Sequence, residues 1–430
     1  MRRMAMDQLL EWKNSPDRKP LVLRGARQVG KTWLMKEFAV QHYKNYVYIN
    51  FDEEKDIQSI FENNKNPHRL LELLAVIKGV KIEPKNTLII LDEIQECVEA
   101  LNSLKYFCEE ANEYHVIAAG SLLGTILARP KSYPVGKVNL LDIQPLNFSE
   151  FLAATDVGLW EYYSKIKPGV DIEDYFHNRL IEMVDYYLIV GGMPECVASW
   201  IKYKDAVKVA RIQKELVTVY ENDFSKYNGR VNSAKILMVF RSIVSQLAKA
   251  NEKFIYGAVR SGARAKDFEE AIEWLVSAGM LIRIHNVSKI EHPLMAFEKL
   301  DQFKLFLFDV GLLKYMAGLD NGAILLHRDF QFRGPLTENF VLQQMTGVFE
   351  VPLHYFAGKN HELDFVLQQG DKVKVVEVKA GENKSASSFK GYLKNEDVDF
   401  GIRFSRRGLV RDGKVLNLPL YLSGKVQNWL

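Results

Sequence analysis

In the first third of the chain, short unbroken apolar runs alternate with longer stretches whose apolar residues recur at helical spacing. Leu21-Val22-Leu23, Tyr46-Val47-Tyr48-Ile49-Asn50, Thr87-Leu88-Ile89-Ile90-Leu91 and Tyr114-His115-Val116-Ile117-Ala118-Ala119 have the length and β-prone composition of buried strands. With helical sequence between them, they predict at least four strands of a parallel sheet packed between helices. From Phe148 to about Tyr227 the pattern is helical, broken at Pro168-Gly169 and at Gly191-Gly192-Met193-Pro194. The aromatic residues of that stretch, such as Tyr175, Phe176, Tyr186, Tyr187 and Tyr220, fit core packing better than a base-stacking surface.

Residues Ser233 to Val287 read as helix, turn, helix and strand. Ile236-Leu237, Phe240, Val244 and Leu247 form one apolar stripe; Phe268, Ile272, Leu275 and Val276 form another, ahead of Gly279 and the strand Met280–Ile284. The last third changes period. His361–Leu367 and Val373–Lys379 read as strands, joined by Gln369-Gly370-Asp371-Lys372, whose glycine suits a tight hairpin.

At 430 residues the chain predicts two to three domains. Its 47% hydrophobic and 26% charged residues exclude a wholly disordered or collagen-like chain, because there is ample apolar surface to bury. Lys and Arg total 57 against 54 Asp and Glu, so net charge gives no global reason to bind nucleic acid or membrane. Residues 371–430 nevertheless hold 12 basic against 7 acidic residues, which places any polyanion contact at that end. Cys97, Cys108 and Cys196 are too few and scattered for a disulfide framework or a four-ligand zinc site. No apolar run approaches the roughly 20 residues of a membrane span, and no signal-peptide core follows Met1-Arg2-Arg3. The expectation is a soluble cytoplasmic protein.

The chemistry enters after the first strand. Gly25-Ala26-Arg27-Gln28-Val29-Gly30-Lys31-Thr32 lies between that strand and a helical stretch and has the G-x-x-x-x-G-K-[ST] form of a phosphate-binding loop. Glycines let backbone N–H groups curl around phosphates, and the following helix turns its positive end toward them. Lys31 is then placed for the β- and γ-phosphates of ATP, and Thr32 for Mg²⁺. The strand Thr87–Leu91 ends in Asp92-Glu93. Acids at the carboxyl end of a buried parallel strand lie where open α/β sheets bind ligands. Asp92 fits the Mg²⁺ shell, and Glu93 a general base for the attacking water, so ATP hydrolysis is expected. Ser121, after the strand ending at Ala119, either senses the γ-phosphate or caps the next helix.

Arg24–Thr32, Leu91-Asp92-Glu93-Ile94-Gln95 and Ala119-Gly120-Ser121 together resemble the prokaryotic AAA-type ATPases that carry a C-terminal domain of unknown function. Ile143–Phe151, Gly191-Gly192-Met193-Pro194-Glu195 and Phe308-Asp309-Val310-Gly311-Leu312 extend the likeness along nearly the whole chain. The resemblance implies an α/β protein with a parallel-sheet P-loop NTPase core at residues 1–147 and a helical lid at 148–230. A winged-helix-like segment at 231–325 and a nuclease-like domain at 326–430 follow. Where the family has Gly-Arg, this chain has Gly136-Lys137. Arg129 is then the alternative for an arginine reaching nucleotide across a subunit boundary, which implies a homo-oligomer. In the winged-helix-like segment, Arg260, Arg264 and Lys266 are opposed by Asp267, Glu269, Glu270 and Glu273, which favours a packing or protein-contact role over DNA reading.

A second constellation lies in the C-terminal hairpin. With a loop of Gly370-Asp371, the pairing register sets Asp364 opposite Glu377, and Lys379 two residues on shares the face of Glu377. Two carboxylates supply hard ligands for Mg²⁺, and a lysine can position water or stabilise charge on phosphate. Asp364, Glu377 and Lys379 resemble the PD-(D/E)xK nuclease core, and Glu338 matches the extra metal-binding acid of some members; the proline of the motif is absent before Asp364. Two functions remain open at this point. One is an ATPase controlling a C-terminal nuclease that acts on nucleic acid. The other is an ATP-driven switch whose C-terminal domain binds a partner without cutting.

Overall fold

The computed structural model describes residues 1–120, 136–226, 233–249, 253–326, 331–349, 351–358, 362–381, 387–394 and 399–430. They fall into two compact units: Arg2–Pro145 with Trp274–Met280, and Leu146–Glu273 with Leu281–Leu430. Among the described residues, no helix is long and apolar enough to cross a membrane.

The first unit is built on five parallel strands, β1 (Leu21–Arg24), β2 (Asn45–Asn50), β3 (Thr87–Asp92), β4 (His115–Ala119) and β5 (Asn139–Asp142), in the order β2-β3-β4-β1-β5. Every residue of β3 and β4 is buried, which is why these strands stand out as unbroken apolar runs. β5 alternates half-buried and exposed positions at the sheet edge, so no apolar run announces it. Val22, Ile89, Leu91 and Val116 pack with Phe51, Leu104 and Phe107 into one core. The carboxyl ends of β1 and β3, central in this order, carry the phosphate loop and Asp92.

In the second unit, eight strands form one mixed sheet: β6 (Leu281–Val287), β7 (Glu298–Leu307), β8 (His354–Ala357), β9 (Glu362–Gln369), β10 (Lys372–Val378), β11 (Gly401–Ser405), β12 (Val410–Asp412) and β13 (Val415–Pro419). Their order is β12-β13-β11-β10-β9-β8-β6-β7. The helices Ser233–Ala248, Tyr256–Val259 and Ala265–Ser277 precede the antiparallel pair β6–β7. That pair is not a free-standing wing, because β8 pairs with β6 and absorbs the hairpin into the larger sheet. The helix Arg333–Met345 leads into β8, β9 and β10, which are successively antiparallel, and β11 returns parallel to β10.

The glycine and acid motifs that mark the family resemblance converge on one buried hydrogen-bonded knot. Asp309 is fully buried; its carboxylate accepts from the Gly192 amide at 2.7 Å, the Leu312 amide at 2.9 Å and Gln343 Nε2 at 3.3 Å. The Gly192 carbonyl accepts from the Leu146 amide at 2.7 Å, and Tyr187 donates its hydroxyl proton to the Leu146 carbonyl. Gln343 and Gln344 of the helix Arg333–Met345 reach across to the Val310 amide at 2.9 Å and the Phe148 amide at 2.6 Å. The backbones pack too closely for side chains: a Cβ on Gly192 would lie 2.0 Å from the Leu146 carbonyl oxygen, and one on Gly311 2.5 Å from the Gly191 nitrogen.

Removing the Asp309 carboxylate strands two buried amides. Asp309→Ala is expected to cost about 3 kcal/mol of stability, and Asp309→Asn, which keeps one acceptor, roughly half of that. Urea unfolding followed by tryptophan fluorescence checks both values.

Candidate functional site

The phosphate loop turns through two left-handed glycines, Gly25 (φ 135°) and Gly30 (φ 93°), with Gln28 also left-handed at 64°. Gly25 has no room for a side chain, since a Cβ would sit 2.2 Å from the Ile143 carbonyl oxygen just past β5. The amides of Gln28, Val29 and Gly30 donate to no acceptor among the described residues. Such a run of unpaired N–H groups ahead of the helix Lys31–His42 is a built anion cradle. Lys31 folds back on the loop, its Nζ 2.9 Å from the Gly25 carbonyl and 2.8 Å from that of Ala26. Burial pulls the Lys31 pKa down to about 8, against the opposing pull of Glu93 and Asp92. Gly279, from the short Trp274–Met280 segment of this unit, also lies against the loop; a Cβ there would be 3.3 Å from the Ala26 amide nitrogen.

Thr32 Oγ1 donates to Asp92 Oδ2 at 2.6 Å, joining the helix start to the end of β3. Tyr48 of β2 donates its hydroxyl proton to the same oxygen at 3.0 Å. Sequence reasoning missed Tyr48. Its signal is the register Ile49↔Leu91, which sets β2 beside β3 and becomes visible only once the strands are ordered. Burial raises the Asp92 pKa, while the Thr32 and Tyr48 hydrogen bonds oppose that rise. Glu93 adopts a left-handed backbone (φ 49°), and its Oε2 accepts from Gln95 Nε2 at 2.5 Å. Lys137 is paired with Glu109 at 2.9 Å. Ser121 and Arg129 lie outside the described residues.

The C-terminal constellation is organised differently. The β9–β10 ladder has the register expected from a two-residue Gly370-Asp371 loop, from Lys372↔Gln369 to Val376↔Phe365. It stops one pair short of Asp364 and Glu377. Instead of sitting opposite Glu377 as a ladder pair, Asp364 turns its Oδ2 to accept the Val378 amide proton at 2.6 Å. Glu377 is buried and in contact with Lys379 Nζ, and Arg403 is its register partner on β11. Lys304 of β7, another group the sequence did not reveal, places Nζ 2.9 Å from Glu362 Oε1. Burial opposes its charge, but Glu362, Glu338 and Asp364 together raise its pKa. A cleft of about 40 Å³ reaches Lys304 and Glu338 past Phe254. Among the described residues, no three His, Cys, Asp or Glu side chains converge closely enough to form a ready metal centre.

Burial, then Asp364, pushes Glu338 up to about 8 and Glu377 up to about 7. Both folded values lie above the ordinary 4.5, so the folded state holds extra protons. The stability they contribute is complete below 4.5 and is lost as pH rises through 7 to 8. Glu338→Gln is therefore expected to flatten this pH dependence and to raise the melting midpoint at pH 8 relative to wild type, as read by calorimetry across that range.

Residues 17–152 match the model of an AAA domain family. Residues 181–323 and 333–421 match two domains of unknown function, DUF8612 and DUF4143. Among solved structures, a Walker-type ATPase of Pyrococcus abyssi is 15% identical with a TM-score of 0.45, covering 73% of this chain and 95% of that one. AMPPCP-bound DnaA of Aquifex aeolicus is 14% identical with a TM-score of 0.29, covering 64% and 87%. The Aeropyrum pernix ORC1 protein in complex with DNA is 12% identical with a TM-score of 0.26, covering 73% and 90%. A curated sequence, the RNA polymerase subunit beta of Caldicellulosiruptor saccharolyticus, is 36% identical over 129 residues, or 26% of this chain. The match spans 9% of that subunit's length. The segment that carries the phosphate loop and Asp92 is an AAA-type P-loop domain.

Proposed function

We propose that this chain binds ATP with Mg²⁺ and hydrolyses it, and that the ATPase controls a C-terminal domain whose Asp364, Glu377 and Lys379 act on nucleic acid. The observation that carries the ATPase reading is the 2.6 Å contact of Thr32 Oγ1 with Asp92 Oδ2 beside the three unpaired loop amides. Two hard oxygen donors meet there at the mouth of an anion cradle, which fits a magnesium-bound triphosphate. Mg²⁺ supplies charge neutralisation of the phosphate oxygens when bound. Lys31 leaves the loop carbonyls and turns its ammonium to the β- and γ-phosphates. Gly25 and Gly30 keep the loop backbone close to them. Tyr48 holds Asp92 in place. Glu93, oriented by Gln95, takes the proton of the attacking water.

The C-terminal reading rests on electrostatics. Glu338, Glu362, Asp364 and Glu377 interact in one half-buried cluster with Lys304 and Lys379. Burial, then neighbouring carboxylates, raises the pKa of Glu338 and Glu377, a tension that a divalent cation would relieve. Among the described residues no three acids converge on one point, so Glu338, Asp364 and Glu377 would have to draw together to hold such a cation, with Lys379 as the group for phosphate. A specific observation favours the second reading, a binding scaffold that does not cut. Lys304 and Lys379 already pair with Glu362 and Glu377, as they would in a structural ion network. Three helices before β6–β7 support a winged-helix-like segment that contacts a partner protein, its acidic helix Ala265–Ser277 disfavouring DNA.

For the ATPase, Lys31→Ala is expected to abolish phosphate release from ATP and Mg²⁺; full activity in that variant rules the site out. For the C-terminal domain, digestion of single- and double-stranded DNA and RNA with Mn²⁺ and ATP is expected to fall to background in Glu377→Gln and Lys379→Met. Cleavage equal to wild type in both variants, or none by wild type, leaves the scaffold reading in force.

A further inference from the structure

Arg3 lies outside the matched AAA segment, yet it is 6% exposed and grips the nucleotide site from behind. Its Nη1 donates to the Val29 carbonyl at 3.0 Å, and its Nη2 to the Gln144 carbonyl at 2.6 Å. These two acceptors are 115 residues apart in sequence and flank the loop on both sides. Val29 immediately precedes the left-handed Gly30. Gln144 follows Ile143, whose carbonyl oxygen walls in Gly25 and whose amide donates to the Arg24 carbonyl at 2.8 Å.

The peptide between Val29 and Gly30 is planar and trans, so its carbonyl and its N–H point in opposite directions. A guanidinium holding the Val29 oxygen on the outer side therefore fixes the Gly30 N–H toward the cradle. Left-handed glycines make this peptide the easiest part of the loop to rotate, because no Cβ resists the turn. The planar fork of arginine spans two carbonyls at once, which a lysine ammonium on a flexible stem does less well.

We propose that Arg3 is a positioning residue of the nucleotide site: it locks the Val29–Gly30 peptide so that the Gly30 amide is already aimed at a nucleotide diphosphate group. This rests on the ATP-binding reading of the loop. The loop amides cradle the α- and β-phosphates, so the lock serves ADP as much as ATP. Its loss should weaken both by the same factor and leave the γ-phosphate chemistry untouched.

The test is titration calorimetry of ADP and of a non-hydrolysable ATP analogue, with Mg²⁺, on the full chain as wild type, Arg3→Lys and Arg3→Met. Melting midpoints without nucleotide are measured in parallel. Arg3→Met is expected to bind both nucleotides roughly tenfold more weakly, the loss of one well-oriented charged hydrogen bond. Arg3→Lys should fall between, and the saturated turnover rate should stay at wild type in both. If Arg3→Met folds poorly, Arg3→Lys still reads the affinity. Unchanged affinity in Arg3→Lys and Arg3→Met, or a loss confined to the triphosphate, overturns the role of Arg3. A wild type that binds neither nucleotide overturns the nucleotide site itself.

Discussion

A phosphate loop functions only when several successive amides turn inward together, and every peptide turned inward must hide its carbonyl elsewhere. In this chain that constraint shapes the surroundings of the loop. Arg3 receives the Val29 carbonyl, Lys31 the carbonyls of Gly25 and Ala26, and the segment after β5 closes on the bare Cα of Gly25. The Lys31 ammonium satisfies two carbonyls of the loop, and burial brings its pKa down to about 8. Thr32, Tyr48 and Asp92 form the facing wall, where two hydroxyls share one carboxylate oxygen.

The second unit obeys a different constraint. Its helices and sheet meet over a buried carboxylate, Asp309, which is tolerated because backbone amides and Gln343 surround it. A further pair, buried Asp185 with half-buried Arg406 at 2.6 and 2.9 Å, ties the helix Asp174–Val190 to the end of β11. In the C-terminal cluster Asp364 alone takes a backbone amide, that of Val378, among the hydrogen bonds described above. The acids of that cluster lean on Lys304 and Lys379, and Glu338 and Glu377 keep protons at pH values where carboxylates are normally bare. Groups held away from their ordinary charge state occur at functional sites and in structural ion networks alike, which is why the two readings stand side by side.

The sequence was most readable where burial is one-sided in its demands. β3 and β4 are buried throughout, as is β1 up to Leu23, and they announce themselves as apolar runs; the glycines of the phosphate loop are dictated by its backbone angles. The edge strand β5 had no such signature. Gly191-Gly192 and Asp309 were visible as family marks, but their common purpose was hidden because the Gly192 amide and the Asp309 carboxylate that bond directly lie 117 residues apart, and Leu146 and Gln343 complete the knot from other segments. Arg3, Tyr48 and Lys304 were invisible for a related reason. Each acts on a residue of another element, 26, 44 and 58 positions away, and ordinary surface or strand residues have the same local pattern. For the C-terminal hairpin, the loop length gave the correct register, but the last pair was replaced by a side chain capturing a backbone amide.

In the function proposed above, Asp92 and Glu93 divide the work, one holding the metal side and the other activating water. A single-turnover experiment, with the chain in excess over radiolabelled ATP and Mg²⁺, separates these roles. Glu93→Gln should bind ATP as tightly as wild type while releasing phosphate roughly 10²- to 10⁴-fold more slowly. Phosphate release by Glu93→Gln at the wild-type rate, or its loss together with ATP affinity, would contradict the account.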